Sequence, residues 1–243
     1  MKPCDVTVIV PTRNEEGNIR GLLGSLPDDC HLVVVDAGED RTADIVLETR
    51  PERTLVVRRR STIPEARQIG TELAKTEWLL FTDADVMFPP DYFQNLPRYA
   101  GYDCVYGAKL SRDRFRRYYR WIARGQRLCQ AFGIPAVTGS NLVVRREVVL
   151  SAGGFDPELV CNEDSELGWR IRRAGYRIAF AEDLPVFATD HRRLERGALR
   201  KTAHSVFRCL LLYFDLIPAR WRRRDWGYWS RSGQGGNSPP LSD

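Results

Sequence analysis

Trp78-Leu79-Leu80-Phe81-Thr82-Asp83-Ala84-Asp85 decides how the rest of the chain is read. The first four residues are a short, unbroken apolar run, the pattern of a strand buried on both faces. Phe88-Pro89-Pro90 follows and stops a regular element. On an extended backbone the carboxylates of Asp83 and Asp85 share one side, with Cα atoms about 7 Å apart. Two like charges held so close and out of water need a cation or a donor network. A hard divalent ion with a phosphate ligand meets that need, because Mg²⁺ and Mn²⁺ favour carboxylate and phosphate oxygens. An acidic turn that merely ends a strand uses the same residues, so the motif alone leaves both readings open.

Upstream, strand and helix signals alternate. Val6 to Val10 is a β-branched run ended by Pro11. Asn14 is positioned to cap a helix that begins at Glu15-Glu16 and continues through Ile19, Leu22, Leu23 and Leu26. Leu32 to Val35 is a second strand, ended by Asp36. Thr42 to Arg50 reads as a helix and Leu55 to Val57 as a third strand. Pro64 to Lys75 is a helix with proline at its start and Ala66, Ile69, Leu73 and Ala74 on one face. This order predicts an α/β fold with a mostly parallel sheet flanked by helices. Ligands of such sheets bind at the carboxyl ends of the strands. Thr12 to Glu16, Asp36, Asp83 and Asp85 all fall there.

Downstream the pattern changes. Asp103 to Leu110 reads as a strand, and Arg112 to about Phe132 as a basic, aromatic helix. The loop Thr138-Gly139-Ser140-Asn141 leads into the strand Leu142 to Val144, and a short helix runs from Arg146 to Ala152. Asn162-Glu163-Asp164 opens a helix closed by Gly175. Arg177 to Ala181 is another strand, and Val186-Phe187-Ala188 is strand-like. Beyond His191 the chain reads as basic and helical. The expected organisation is one domain over residues 1–193, a basic amphipathic helical extension over 194–231, and a disordered tail over 232–243 rich in Gly, Ser and Pro.

Over 243 residues the chain is 43% hydrophobic and 28% charged, with net charge +5, ordinary for a globular protein able to bury one large core. The charge permits anionic partners without naming one. The six cysteines include no Cys-x-x-Cys pair, which argues for reduced thiols and against a zinc site or a disulfide frame. Val6 to Val10 is too short for the apolar core of a secretion signal, and no apolar run reaches 18 residues. The expected location is cytoplasmic, with a peripheral place at the inner face of the cell membrane considered below.

These segments, in this order, resemble the family 2 glycosyltransferases, nucleotide-sugar-dependent enzymes of the GT-A fold. Val8-Ile9-Val10-Pro11-Thr12-Arg13-Asn14-Glu15 is similar to the family's opening nucleotide-binding strand and loop, and Val33 to Asp36 to its second strand. Ala66-Arg67-Gln68-Ile69-Gly70 resembles the Ala-Arg-Asn-x-Gly helix, with Gln68 where Asn is usual. Asp83-Ala84-Asp85 is similar to the metal motif. Gly139-Ser140-Asn141, Gly153-Gly154-Phe155-Asp156 and Glu163-Asp164 with Arg170 are similar to acceptor-side segments. The match runs from Val6 to about Arg193.

The resemblance implies a GT-A-like single domain and transfer of a sugar from a nucleoside diphosphate, a UDP- or GDP-sugar, with inversion. It implies Mn²⁺ or Mg²⁺ held by Asp85, with Asp83 on ribose or a metal-bound water. It implies His191 as a further metal ligand, with Asp190 behind it. Pro11, Thr12, Arg13, Glu15, Asp36, Arg67 and Ala84 would line the donor, and Asp164 would be the general base, with Glu163 and Glu166 as competitors. As plain structure, Asp36 is a strand-end turn residue, Asp164 a helix cap and His191 a core histidine. Arg67 suits a phosphate or pairs with Glu65 or Asp83.

Arginines interleave with aromatics over Arg114 to Trp121 and Arg220 to Trp229. Between them Leu210, Leu211, Tyr213, Phe214 and Ile217 accompany Arg208. That helix is too short and charged to span a bilayer, but it suits an interface with anionic lipid. An ordinary helix covering the sheet has the same composition. The lipid reading implies a lipid-linked acceptor, such as a polyprenyl phosphate or a lipid-linked glycan; the expected acceptor is a lipid-linked or glycan molecule at the cytoplasmic membrane face. A sugar-phosphate nucleotidyltransferase is the rival enzyme, but it calls for a glycine-rich first loop. A dinucleotide enzyme calls for Gly-x-Gly-x-x-Gly, which is absent. Nucleic acid is not expected as a partner, since no recognition motif accompanies the basic segments. An inactive nucleotide-sugar-binding homologue is the rival outside catalysis.

Overall fold

A computed structural model describes residues 1–195 and 197–223. The strands are β1 (Val6–Thr12), β2 (His31–Asp36), β3 (Thr54–Arg58), β4 (Trp78–Phe81), β5 (Val86–Met87), β6 (Cys104–Leu110), β7 (Leu142–Arg145) and β8 (Ile178–Ala188). The α-helices are α1 (Ile19–Leu23), α2 (Thr42–Thr49), α3 (Ile63–Leu73), α4 (Tyr92–Asn95), α5 (Arg116–Ala131), α6 (Arg146–Ser151), α7 (Glu163–Arg173), α8 (Arg192–Glu195), α9 (Ala198–Tyr213) and α10 (Ala219–Arg222). The strands form one eight-stranded sheet in the order β3-β2-β1-β4-β7-β6-β8-β5. β1 to β4 pair in parallel, β7 runs antiparallel to both its neighbours, and β6 and β8 are parallel.

Period-2 alternation splits the core into two layers. Val6, Val8 and Val10 of β1 face the side that holds Leu22, Leu23, Ile45 and Val46 of α1 and α2. Ile9 faces the other side, with Ala66 of α3 and Val148 of α6. α3 lies close on β1: a Cβ at Gly70 would collide with Ile9. Its start is set by a capping box between Thr62 and Glu65, which satisfies two otherwise orphaned N–H groups. Glu65 is therefore committed to its own helix rather than to Arg67.

Several boundaries differ from the sequence reading, each for a local reason. Asn14 does not cap a helix: it lies at φ 56° and its amide oxygen accepts from the Glu39 N–H at 2.9 Å. It thereby joins the loops after β1 and β2, and α1 starts only at Ile19. Phe88-Pro89-Pro90 does end regular structure, but Val86–Met87 first pairs with Phe187 and Ala188 of β8. β8 itself continues through Pro185 and unites the two expected strands. Residues 111–115 are not helical, because the Ser111 hydroxyl bonds Asp113 at 2.7 Å and Phe115 adopts φ 55°. Asn162 occupies the N-cap position of α7 without a side-chain capping bond; its side-chain N–H groups go to Ser205 at 3.0 Å and Cys209 at 3.3 Å.

α9 is not a free amphipathic arm. Leu212 and Ile217 bury against Leu159 and Trp169. Arg208, read as facing lipid, is 2% exposed and donates to the carbonyls of Trp221 at 2.6 Å and Cys161 at 3.4 Å. The other face leaves Val206, Phe207, Leu210, Phe214 and Leu216 exposed. The expected tail over 232–243 and most of Arg220–Trp229 lie outside the described residues.

Candidate functional site

The carboxyl ends of β1, β2 and β4 open on one rim. Asp36, at the end of β2, is 4% exposed and accepts from the Thr12 hydroxyl at 2.8 Å and the Gly38 N–H at 3.1 Å. Thr12 and Asp36 thus clamp the first two loops together. Glu15 accepts from Asn18 at 2.6 Å and Arg192 at 3.1 Å, and burial raises its pKa against those two donors. Pro11 is the penultimate residue of β1, and Arg13 is exposed beside it.

Asp83 and Asp85 sit in a turn between β4 and β5, not on a continuous strand. The turn still brings both carboxylates to one point. Lys109 Nζ, from β6, lies 3.0 Å from Asp85 Oδ1 and 3.5 Å from Asp83 Oδ2. Burial lowers the lysine's pKa, but Asp85, Asp83 and Tyr119 together raise it above the usual range. Ala84, expected at the donor, points its methyl into the main core at 3% exposure; only its backbone is left for a ligand. Lys109 was not legible as a site residue. Its one signal is rarity: the chain's lysines are Lys2, Lys75, Lys109 and Lys201, the other cations being arginines.

Two bridges join this diacid to the start of α7. Arg67 is 3% exposed and spans Glu163 at 2.5 Å and Asp83 at 3.3 Å. The loop before β7 makes the second: Ser140 donates its hydroxyl to Asp83, and the Gly139 N–H donates to Asp164 Oδ2 at 2.6 Å. A Cβ at Gly139 would meet the Arg67 guanidinium, so the ion-paired side chain would have to shift. Burial pushes the Glu163 carboxyl up to about 7, against the pull of Arg67 and with Asp164 and Asp83 adding to the rise. Asp164 is half-buried, and its Oδ1 accepts from the Ser165 N–H at 2.7 Å. Glu166 is engaged by Arg170 through two bonds of 2.7 Å.

His191 has its own set of partners. Nε2 lies 2.9 Å from Asp113 and Nδ1 3.3 Å from the Tyr119 hydroxyl, with Phe115 and Tyr119 against the ring. Asp113, not Asp190, is its partner; Asp190 accepts from the Arg192 N–H at 2.8 Å and is lowered in pKa. Among the described residues no group of three or more His, Cys, Asp or Glu is gathered as metal ligands. Asp83 and Asp85 nonetheless fit a divalent ion, since they already share a cation, and such ions take one or two carboxylates with the rest from phosphate and water.

Beyond Lys109, β6 leads into a cavity of about 280 Å³ lined by Leu110, Ser111, Arg112, Arg116, Arg120 and Phe187. Arg112 lies 4.0 Å from the Phe187 ring centroid. The cavity therefore pairs cationic and apolar walls.

Residues 7–150 match the model of glycosyl transferase family 2, and the chain belongs to that family. Succinoglycan biosynthesis protein ExoA of Rhizobium meliloti is 29% identical over 195 residues, covering 70% of this chain and 59% of that protein. Pre-mycofactocin glycosyltransferase of Mycobacterium tuberculosis is 26% identical over 218 residues, covering 82% and 45%. The chain thus spans about half the length of the curated relatives it matches. The fold is that of the mannosyltransferase PcManGT from Pyrobaculum calidifontis, solved with GDP-Man and Mn²⁺: TM-score 0.70 at 23% identity, covering 91% of this chain and 68% of that one.

Proposed function

We propose that this chain transfers a sugar from a UDP- or GDP-sugar to a hydroxyl or phosphate acceptor, with inversion. The observation that carries the reading is the double bridge, through Arg67 and through Gly139-Ser140, that fixes a cation-holding diacid against Asp164. The diacid and the base are thereby tied to each other, which is what catalysis by positioning needs. Membership of glycosyl transferase family 2 and the likeness to pre-mycofactocin glycosyltransferase support the same class.

Thr12, Arg13, Glu15 and Asp36 form the donor loop. A divalent ion, Mn²⁺ or Mg²⁺, beside Asp85 and Asp83 would supply Lewis-acid stabilisation of charge on the leaving diphosphate. Asp164 takes the proton of the acceptor oxygen. That oxygen bonds to the anomeric carbon as the bond to the diphosphate breaks, and its electron pair leaves with the phosphate. The two backbone N–H groups on Asp164 orient the carboxylate and leave each oxygen a further lone pair. Glu163 and Glu166 are tied to Arg67 and Arg170, which favours Asp164 over both competitors. His191 joins the metal only if a ring nitrogen exchanges its present partner, Asp113 or Tyr119, for the ion.

The acceptor side favours an anionic, lipid-linked molecule. Arg112, Arg116 and Arg120 beside Leu110 and Phe187 suit a phosphate attached to an apolar chain. The exposed apolar face of α9, with Trp121 and Leu128 of α5 and Phe132 just after it, suits a peripheral position at the inner membrane face. Among the described residues no helix is long and apolar enough to cross a membrane. The glycosyltransferase domain is proposed to span 1–193.

Thermal unfolding with UDP, GDP and their sugars, with and without Mn²⁺ or Mg²⁺, tests the donor site. A metal-dependent rise with one nucleotide is expected, since a ligand specific to the folded state stabilises it. Asp85→Ala is expected to lose that rise. Sugar release without any acceptor dependence would count against transfer.

A further inference from the structure

Lys109 has no role in the reading above, yet it occupies the position where a metal ion is expected. The chain uses arginine almost throughout, and its described surface ion pairs are all made by arginine. At the diacid it uses lysine. The difference is chemical. Arginine is a planar fork suited to permanent bidentate pairs, whereas an ammonium is a compact point charge on a flexible four-carbon stem. Contacts at 3.0 and 3.5 Å to two different carboxylates are the way a small cation bridges a diacid. Asp83 is held from behind by Arg67 and Ser140, so that carboxylate keeps its place whichever cation lies in front.

A divalent ion arriving alone must displace or repel that ammonium. A diphosphate arriving with the ion changes the balance, because it offers the ammonium new oxygens and completes the coordination of the ion. We propose that Lys109 is a resident counter-ion that competes with the divalent metal for Asp83 and Asp85, so that the metal enters only together with a nucleoside diphosphate, to whose phosphates the ammonium is handed over. The site then stays closed to free metal ions and assembles its charge only around a donor. The inference rests on the donor-site reading of the previous subsection for its ligands, but it does not require that any sugar be transferred.

The experiment is a titration of Mn²⁺ followed by electron paramagnetic resonance, with protein alone and with GDP or UDP present. The wild-type chain is expected to bind Mn²⁺ weakly alone and about tenfold or more tightly with one of the two diphosphates. Lys109→Met is expected to bind Mn²⁺ alone about tenfold more tightly than wild type, to lose most of the coupling, and to bind the metal-free diphosphate more weakly. Lys109→Arg keeps the charge and is expected to stay near wild type for Mn²⁺ alone. Adding Asp85→Asn to Lys109→Met is expected to remove the gain. Equal Mn²⁺ affinity in Lys109→Met and wild type would overturn the inference. So would wild-type Mn²⁺ binding that neither diphosphate tightens, a result that needs no variant to fold. An enzyme that transfers no sugar while Lys109→Met still gains Mn²⁺ affinity would sink the transferase reading and leave this one standing.

Discussion

Replacing Arg67 by Met keeps most of the side chain's volume and removes its charge. The structure predicts a large and pH-dependent loss of stability. Arg67 is 3% and Glu163 6% exposed, 2.5 Å apart, and removing one partner of such a pair costs about 3–5 kcal/mol because the other charge is left buried. The lower end applies here, since Glu163 can take up a proton. In a domain of this size about 3 kcal/mol corresponds to a fall in Tm of roughly 6–12 °C. Glu163 also fixes the sign of the pH dependence. Its carboxyl is raised from 4.5 to about 7 in the folded chain, so its contribution to stability is fully present below 4.5 and is lost as pH rises through about 7, a change of about 3 kcal/mol. At pH 5 Glu163 is largely protonated and Arg67 has only Asp83 to balance. The loss in Arg67→Met is therefore expected to be smaller at pH 5 than at pH 8. Glu163→Gln added to Arg67→Met is expected to recover much of the loss at pH 8. Urea unfolding of the four proteins at the two pH values forms the double-mutant cycle. A loss below about 1 kcal/mol at pH 8, or an equal loss at both pH values, would refute the reasoning.

Asp164→Asn is expected to keep the donor-dependent rise in Tm while losing transfer by two or more orders of magnitude, about the share a positioned base supplies; normal turnover would move the base elsewhere. Gly139→Ala drives a methyl into Arg67 and is expected to lower stability by about 1–3 kcal/mol in urea unfolding; an unchanged midpoint would show that the loop shifts freely. Arg112→Ala with Arg116→Ala is expected to raise KM for a phosphate-bearing acceptor more than for the donor, and to weaken flotation on vesicles of anionic lipid. An unchanged acceptor KM would remove the cavity from the acceptor side.

Much of the sheet was legible because its strands are short apolar runs cut by Pro, Gly and Asp. β4 was read with the bounds it has, and α3 within two residues, since its cap and proline are local signals. Local chemistry ran out where a residue's partner is distant in the chain. Asn14 has the right identity for a cap, but Glu39 claims it. Asn162 does too, but α9 claims it. β5 is two residues long and exists only because β8 passes beside it.

The sequence by itself determined the parallel half of the sheet, the acidic rim and the family, because hydrophobic period and motif order are properties of neighbours along the chain. Tertiary structure decided what those acids face. It put Lys109 between Asp83 and Asp85, tied Arg67 to Glu163, turned His191 toward Asp113, and hid Arg208 beneath the C-terminal segment. The Lys109, Arg67 and His191 contacts join residues 24 to 96 positions apart, and charge responds to distance in space rather than to spacing in sequence.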